Sequence, residues 1–244
     1  MARVRPVDVY PEIAFGGYSR VDGTMDFLAR AHALAPSEGT ILDIGCGRGE
    51  GVEDRCRARA RLCDFRRAGV KVVGIDVDPS AAGNPIIDEF RPLRIGEPWP
   101  IESASVDLAV SRSVIEHVDD VPGYFREIAR VLKPGGFLAA HTSNLWSYPG
   151  IAARLVPNRL HGRAISMAQP GRQERDVFPT LYRCNSVWKL RRTLREAGLS
   201  GTVYGIEAEP SYVQFSRVAY RVAATIHSYI PSAFRSRILV YARR

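Results

Sequence analysis

The segment Thr40-Ile41-Leu42-Asp43-Ile44-Gly45-Cys46-Gly47-Arg48-Gly49 constrains this chain more than any other. Its first half is a short apolar run with two isoleucines, the pattern of a buried strand. The glycines behind it permit positive φ and close backbone approach. A strand that enters such a turn opens an α/β unit, and ligands of open α/β sheets sit beyond the carboxyl ends of the strands. The spacing G-C-G-R-G-E-G is shifted from the dinucleotide fingerprint G-x-G-x-x-G. Asp43, two residues before the first glycine, would repel a pyrophosphate but suits a cationic amino-acid ligand.

The rest of the chain extends this unit. Asp22 is placed to cap a helix from Gly23, whose Met25, Phe27, Leu28, Ala31 and Leu34 share one face. An Arg-rich helix is expected over 50–68, a second buried strand over 71–78 and a weak strand near 92–95. A strand over 106–113 leads to a helix from Pro122 to Leu132, a stop at Lys133-Pro134-Gly135-Gly136 and a strand over 137–143. Such alternation implies a parallel sheet covered on both faces and joined by right-handed crossovers. Residues 144–185 break the pattern and read as a substrate-side insertion with one or two short helices. A helix over 186–197, a strand over 202–209, a helix over 211–229 and an antiparallel strand over 237–243 complete the chain. The expected class is α/β: a doubly wound, mostly parallel seven-stranded sheet with an antiparallel last strand.

Composition narrows the partners. The chain has 244 residues and a formal charge of +8, and Lys71, Lys133 and Lys189 are its only lysines. Apart from Arg55, Arg57, Arg59, Arg61, Arg66 and Arg67 the arginines are scattered, which disfavours a nucleic-acid partner. Cys46, Cys56, Cys63 and Cys184 form no C-x-x-C pair, so free thiols in a reducing compartment are expected. The N-terminus lacks an apolar signal core and no long apolar run follows, so a cytoplasmic protein is expected. Glu116 and Asp119-Asp120 stand where acids serve a helix dipole, and no metal site is expected.

Two further segments converge on the glycine turn. Asp76 ends the strand in VVGIDVD, where a carboxylate accepts both ribose hydroxyls of an adenosine. The third is the run from Ser105 to His141, with S-R-S-V-I-E-H-V and R-V-L-K-P-G-G inside it. LDIGCGRG, VVGIDVD and this run, in order over residues 38–143, resemble class I S-adenosylmethionine-dependent methyltransferases of the type 11-like group. The resemblance implies a Rossmann-like sheet with S-adenosylmethionine as cofactor. It places Asp43, Gly45, Cys46 and Gly47 around the methionine moiety, Asp76 on the ribose and Val77 on the adenine. Ser111 and Arg112 would border the sulfonium. Members often carry an Asp shortly before a Leu-Pro pair to bind the adenine amino group, but here Arg94-Ile95-Gly96 precede Trp99-Pro100. Asp88, Glu89 or a backbone carbonyl is left for that contact.

The resemblance also divides the single domain of 1–244: lead-in and helix to 37, cofactor-binding core over 38–143, insertion and helix over 144–200, and C-terminal strands and helix over 201–244. RLVPNRLHGR, DVFPTLYRCNS and AEPSYVQFSRVAY resemble methyltransferases associated with bacterial glycan and surface-polysaccharide biosynthesis. They imply O-methylation of a saccharide, glycolipid or related small molecule. RNA methylation and a non-catalytic, membrane-associated role remain as alternatives. A hydroxyl acceptor calls for a general base. His117 stands just after the fourth strand, and His141 near the end of the fifth unless its side chain points into the core. Asn144, His161, Asp176, Tyr182 and Arg183 are candidates to hold the acceptor. Aromatic residues among arginines in 211–244 either pack on the sheet or lie against the inner face of a membrane.

Overall fold

The computed structural model describes residues 4–155, 180–210 and 213–244. Its seven strands are β1 (Gly39–Ile44), β2 (Val70–Asp76), β3 (Glu89–Pro92), β4 (Val106–Arg112), β5 (Leu132–Ser143), β6 (Ser200–Ile206) and β7 (Arg237–Arg243). They form one sheet in the order β3-β2-β1-β4-β5-β7-β6. The pairs from β3 to β5 are parallel, and β7 runs antiparallel to both β5 and β6. This is a doubly wound, Rossmann-like α/β fold whose strand order reverses between β1 and β4.

Helices cover both faces. Helix α3 (Val121–Val131) and α5 (Val187–Glu196) pack Phe125, Ile128, Leu190 and Leu194 on Leu42, Ile44, Ile75, Leu138 and Ala140. Helix α1 (Gly23–Leu34) and α2 (Arg57–Cys63) pack Phe27, Leu28 and Cys63 against Ile41, Val72, Leu108, Val110 and Ala139. Strands buried on both sides need apolar residues at nearly every position, which is why β1, β2 and β4 read as continuous runs. Helix α4 (Tyr148–Leu155) lies in the expected insertion, and α6 (Arg217–Ile226) precedes β7.

Several boundaries differ from expectation for identifiable reasons. The helix expected over 50–68 is only a 3-10 turn, Glu50–Glu53, followed by α2. Asp54 and Asp64 each accept an amide two residues on (Cys56 and Arg66), so side chains compete with the helical ladder at both ends. The strand expected near 92–95 lies at 89–92, because the Asp88 carboxylate takes the Val72 amide and starts the pairing earlier. Helix α6 starts at Arg217, where Ser216 Oγ accepts the Ala219 amide. The Lys-Pro-Gly-Gly stop falls inside β5 as an irregularity, with Gly135 at φ 83° and its amide donating to Arg244 O. Asp22 does cap α1, accepting from Thr24 N and Met25 N.

Candidate cofactor and acceptor site

Side chains alternate along a strand, so register fixes which residues meet at the carboxyl ends of β1, β2 and β4. Ile41 and Val110 face α1, and Asp43 and Arg112, two residues on, share that face. Arg112 Nη2 donates to Asp43 Oδ2 at 3.3 Å, and Nη1 lies 3.4 Å from Cys63 Sγ. Burial pushes the Asp43 carboxyl above the usual range, Arg112 pulls it down and the nearby Asp76 pushes it up again. Burial opposes the Arg112 charge, but Asp43 and Cys63 hold the guanidinium above its ordinary pKa. Burial, Asp43 and Asp76 push the Cys46 thiol up to about 12, which makes it a poor nucleophile.

The glycine turn wraps these carboxylates. Gly45 and Gly47 have φ of 67° and 53°. Asp76 Oδ2 accepts the Gly47 amide at 2.9 Å, and Oδ1 accepts the Asp78 amide at 2.8 Å. Asn84 Nδ2 donates to Cys46 O at 2.8 Å and Gly47 O at 3.1 Å, tying the loop after β2 to the turn. Asn84 is a positioning residue that sequence reasoning missed; Gly-Asn-Pro signals a turn but not what the amide will reach.

S-adenosylmethionine fits these residues. Asp43 Oδ1 is buried without a hydrogen-bond partner, as an acceptor reserved for an ammonium group would be. Asp43 has one guanidinium beside it and a second carboxylate, Asp76, nearby that repels it, so a cationic ligand relieves that repulsion. A Cβ at Gly47 would meet nothing within 4 Å, so that glycine borders open space. Val77 is 41% exposed beside buried Asp76, an apolar surface for a base. A Cβ at Gly45 would instead collide with Val114 Cγ2, so that glycine serves the turn's own packing.

Four expected site residues are placed elsewhere. Ser111 falls on the opposite face of β4, fully buried, with its hydroxyl 2.7 Å from Tyr124 Oη; it is a core residue. Asp88 braces the start of β2 through Val72, four residues and about 13 Å of strand from Asp76, so it does not reach the adenine side. His141 lies in the core, edge-on to Phe27 at 4.8 Å, and burial with Arg237 and Arg112 lowers its pKa to about 3. Asn144 spends Nδ2 on Ala233 O and Arg235 O, and Oδ1 on the Trp146 amide, which leaves it a structural tie.

Others stand at the ends of β4 and β5. His117 closes a 3-10 turn, Ile115–His117, just beyond β4 and is half-buried. Its neighbour Glu116 turns inward, where Oε2 accepts from Thr142 Oγ1 at 2.7 Å and its carbonyl accepts the Leu181 and Tyr182 amides. Asn185 Nδ2 donates to Thr142 Oγ1 at 2.6 Å and to Ser143 O at 3.0 Å. This chain, also missed in the sequence, joins the ends of β4 and β5 to the approach to α5. Tyr182 lies within it at φ 51°. Arg183 is an exposed brace on Asp119 at 3.0 Å. Asp120 caps α3 through the Gly123 amide. Among the described residues no group of three His, Cys, Asp or Glu is arranged to hold a metal ion. His161, Asp176 and Tyr212 lie outside the described residues.

Fold and cradle together define a Rossmann-like methyltransferase. A family model for a methyltransferase domain matches residues 19–202, and the chain belongs to this family of S-adenosylmethionine-dependent enzymes. A ubiquinone biosynthesis O-methyltransferase of Bradyrhizobium sp. is 38% identical over 116 residues, 43% of this chain and 40% of that protein. A probable S-adenosylmethionine-dependent methyltransferase of Mycolicibacterium smegmatis is 32% identical over 145 residues, 57% of this chain and 50% of that protein. The chain thus aligns with half or less of these relatives' length. Geranyl diphosphate C-methyltransferase of Streptomyces coelicolor shares the fold at TM-score 0.55, with 19% identity over 90% of this chain and 78% of that one. So does a possible histamine N-methyltransferase of Thermotoga maritima, at TM-score 0.55 and 16% identity over 96% and 92% of the chains.

Proposed function

We propose that the chain transfers a methyl group to a hydroxyl of a saccharide, glycolipid or related small molecule. The observation that carries the donor half is the buried Asp43 carboxylate with one oxygen unpartnered beside the open Gly47 turn. Asp43 and Gly47 would hold the methionine end, Asp76 the ribose and Val77 the adenine, with Gly45 shaping the turn. The bound cofactor supplies an electrophilic methyl on sulfur. The protein's part is to align the acceptor oxygen, keep water out and remove a proton.

His117 is the residue we assign to that proton. It stands at the end of the sheet that carries Asp43, half-exposed, whereas His141 is enclosed by Phe27 and the sheet. The Glu116–Thr142–Asn185 chain fixes the turn that carries it. Relatives named as O-methyltransferases support a hydroxyl acceptor, while fold neighbours named for C- and N-methylation do not discriminate. Half of the arginine run over 55–67 is spent within the fold, which lessens its support for an RNA acceptor: Arg59 is bound to Asp22 and Asp54, Arg66 to Asp64, and Arg67 to the carbonyls of Ala35 and Pro36.

The test is purified chain with methyl-labelled S-adenosylmethionine on glycan, lipid and RNA fractions. Label in a glycan or glycolipid fraction supports the reading; label in RNA alone overturns it. His117→Gln lowers kcat roughly a hundredfold with unchanged cofactor affinity; a retained kcat removes His117 from the chemistry.

A further inference from the structure

The C-terminal quarter carries an apolar surface that the cofactor site does not use. Val218, Val222 and Ile226 of α6 are spaced i, i+4, i+8, so they lie on one helix face, and all three are exposed. Phe215 before the helix and Tyr229 after it are 61% and 81% exposed. The inner side of α6 is held by Tyr220, fully buried against Tyr10 and Val4. A surface helix ordinarily turns its branched aliphatics inward. Here one aromatic anchors the helix and the aliphatics face out. Scattered exposed apolar residues need no account, but a row in register marks a binding surface.

The charge around this row selects the partner. From Pro210 to Arg237 the sequence has no Asp or Glu; Arg217 and Arg221 lie on α6 and Arg235 beside it, and the nearby acids Asp22, Asp26 and Glu207 line the cavity that Arg221 and Arg235 share. Arg217 and Arg221 are exposed one turn apart on α6, at the flank of the row. A second copy of this chain seated on the same face would set arginine against arginine. An anionic lipid surface offers the complement to both parts, acyl chains for the row and phosphates for the guanidinium groups. Placement agrees. β6 runs parallel to β5, so Ile206 and Arg237, which bracket this segment, lie at the end of the sheet that carries Asp43 and Arg112.

We propose that α6 lies in the interface of an anionic membrane, with Val218, Val222, Ile226, Phe215 and Tyr229 at the acyl boundary and Arg217 and Arg221 on lipid phosphates. The acceptor end of the sheet then faces the bilayer, and the acceptor is an amphiphile presented there. Only this last step rests on the methyl-transfer reading.

The full chain, without cofactor, is sedimented with vesicles of phosphatidylcholine and of phosphatidylcholine mixed with phosphatidylglycerol. It partitions to the anionic vesicles only, and added salt releases it. Arg217→Ala with Arg221→Ala weakens partition roughly thirtyfold. Val218→Asp and Val222→Asp, both at exposed positions, abolish it while calorimetry shows wild-type affinity for S-adenosylmethionine. No partition to anionic vesicles, or equal partition by the Asp variants, overturns the proposal. So does a dimer that Val222→Asp dissociates without any vesicle binding, or RNA binding in its place. Vesicle binding by a chain that fails to bind S-adenosylmethionine overturns the methyl-transfer reading and leaves the docking intact.

Discussion

The two ends of the site hold their polar groups by different means. At β1 and β2, main-chain amides and the Asn84 side chain fix the turn and Asp76, and Asp43 keeps an oxygen unpartnered. At the end of β5, Thr142 bridges Glu116 and Asn185, and Asn144 is spent on 233–235 and Trp146, which of these groups leaves only the Asn185 amide oxygen buried without a partner. The lesson is that a polar residue at the carboxyl end of a strand becomes a ligand candidate only after its own valence is counted. The first end keeps a carboxylate oxygen open to a cation, whereas the second spends its groups on bracing except for the neutral Asn185 oxygen.

Substitutions can break this contrast. Asp76→Ala removes two amide contacts and the proposed ribose acceptor, so cofactor affinity falls on the order of a hundredfold or more. Calorimetry reads it, and a fall under tenfold would make the β2 end a brace like its counterpart. Asn84→Ala leaves the Cys46 and Gly47 carbonyls without their amide, at a cost of about 1–3 kcal/mol. It weakens the cofactor about tenfold if the turn must be held to receive it; a fall in melting temperature with unchanged affinity would argue otherwise.

His141 sharpens the bracing side through pH. Its folded pKa of about 3 lies below the ordinary 6.5, so the unfolded chain binds the proton that the folded chain refuses. Stability contributed by the neutral ring is complete above about pH 6.5 and drains as pH falls toward 3, by on the order of 1 kcal/mol per unit. Denaturant titrations of His141→Phe should show a flatter pH dependence in that window. The smallest effect belongs to Arg183→Ala, which loses one exposed ion pair worth under about 1 kcal/mol. Methyl transfer should stay within twofold of wild type, and a large loss would return Arg183 to the acceptor site.

The legibility of the molecule follows the same division. β1, β2 and β4 declare themselves because strands buried on both faces must be apolar throughout, and Asp43 and Asp76 stand out as charges inside those runs. Period-two alternation sends Ser111 to the α3 face and Arg112 to the α1 face, which a motif reading that kept both in the site overlooked. Asp88 and His141 were plausible by chain position, yet one is set low in the sheet by register and the other is enclosed by α1. Asn84, Glu116 and Asn185 act on partners 38, 26 and 43 residues away, where a linear pattern carries no signal.

The placement of β7 also orders events in time. β1 through β5 pair with neighbours joined by crossovers, but β6 meets the sheet only through β7, which enters between it and β5. Phe137 pairs with Arg243, a contact that closes late because much chain must be gathered first. A donor-binding platform can therefore assemble on the nascent chain while the β6 edge waits for its neighbour. Pulse-labelled hydrogen exchange should find β1 and β4 amides protected before those of β6, and the reverse order would show that the edge nucleates the sheet instead.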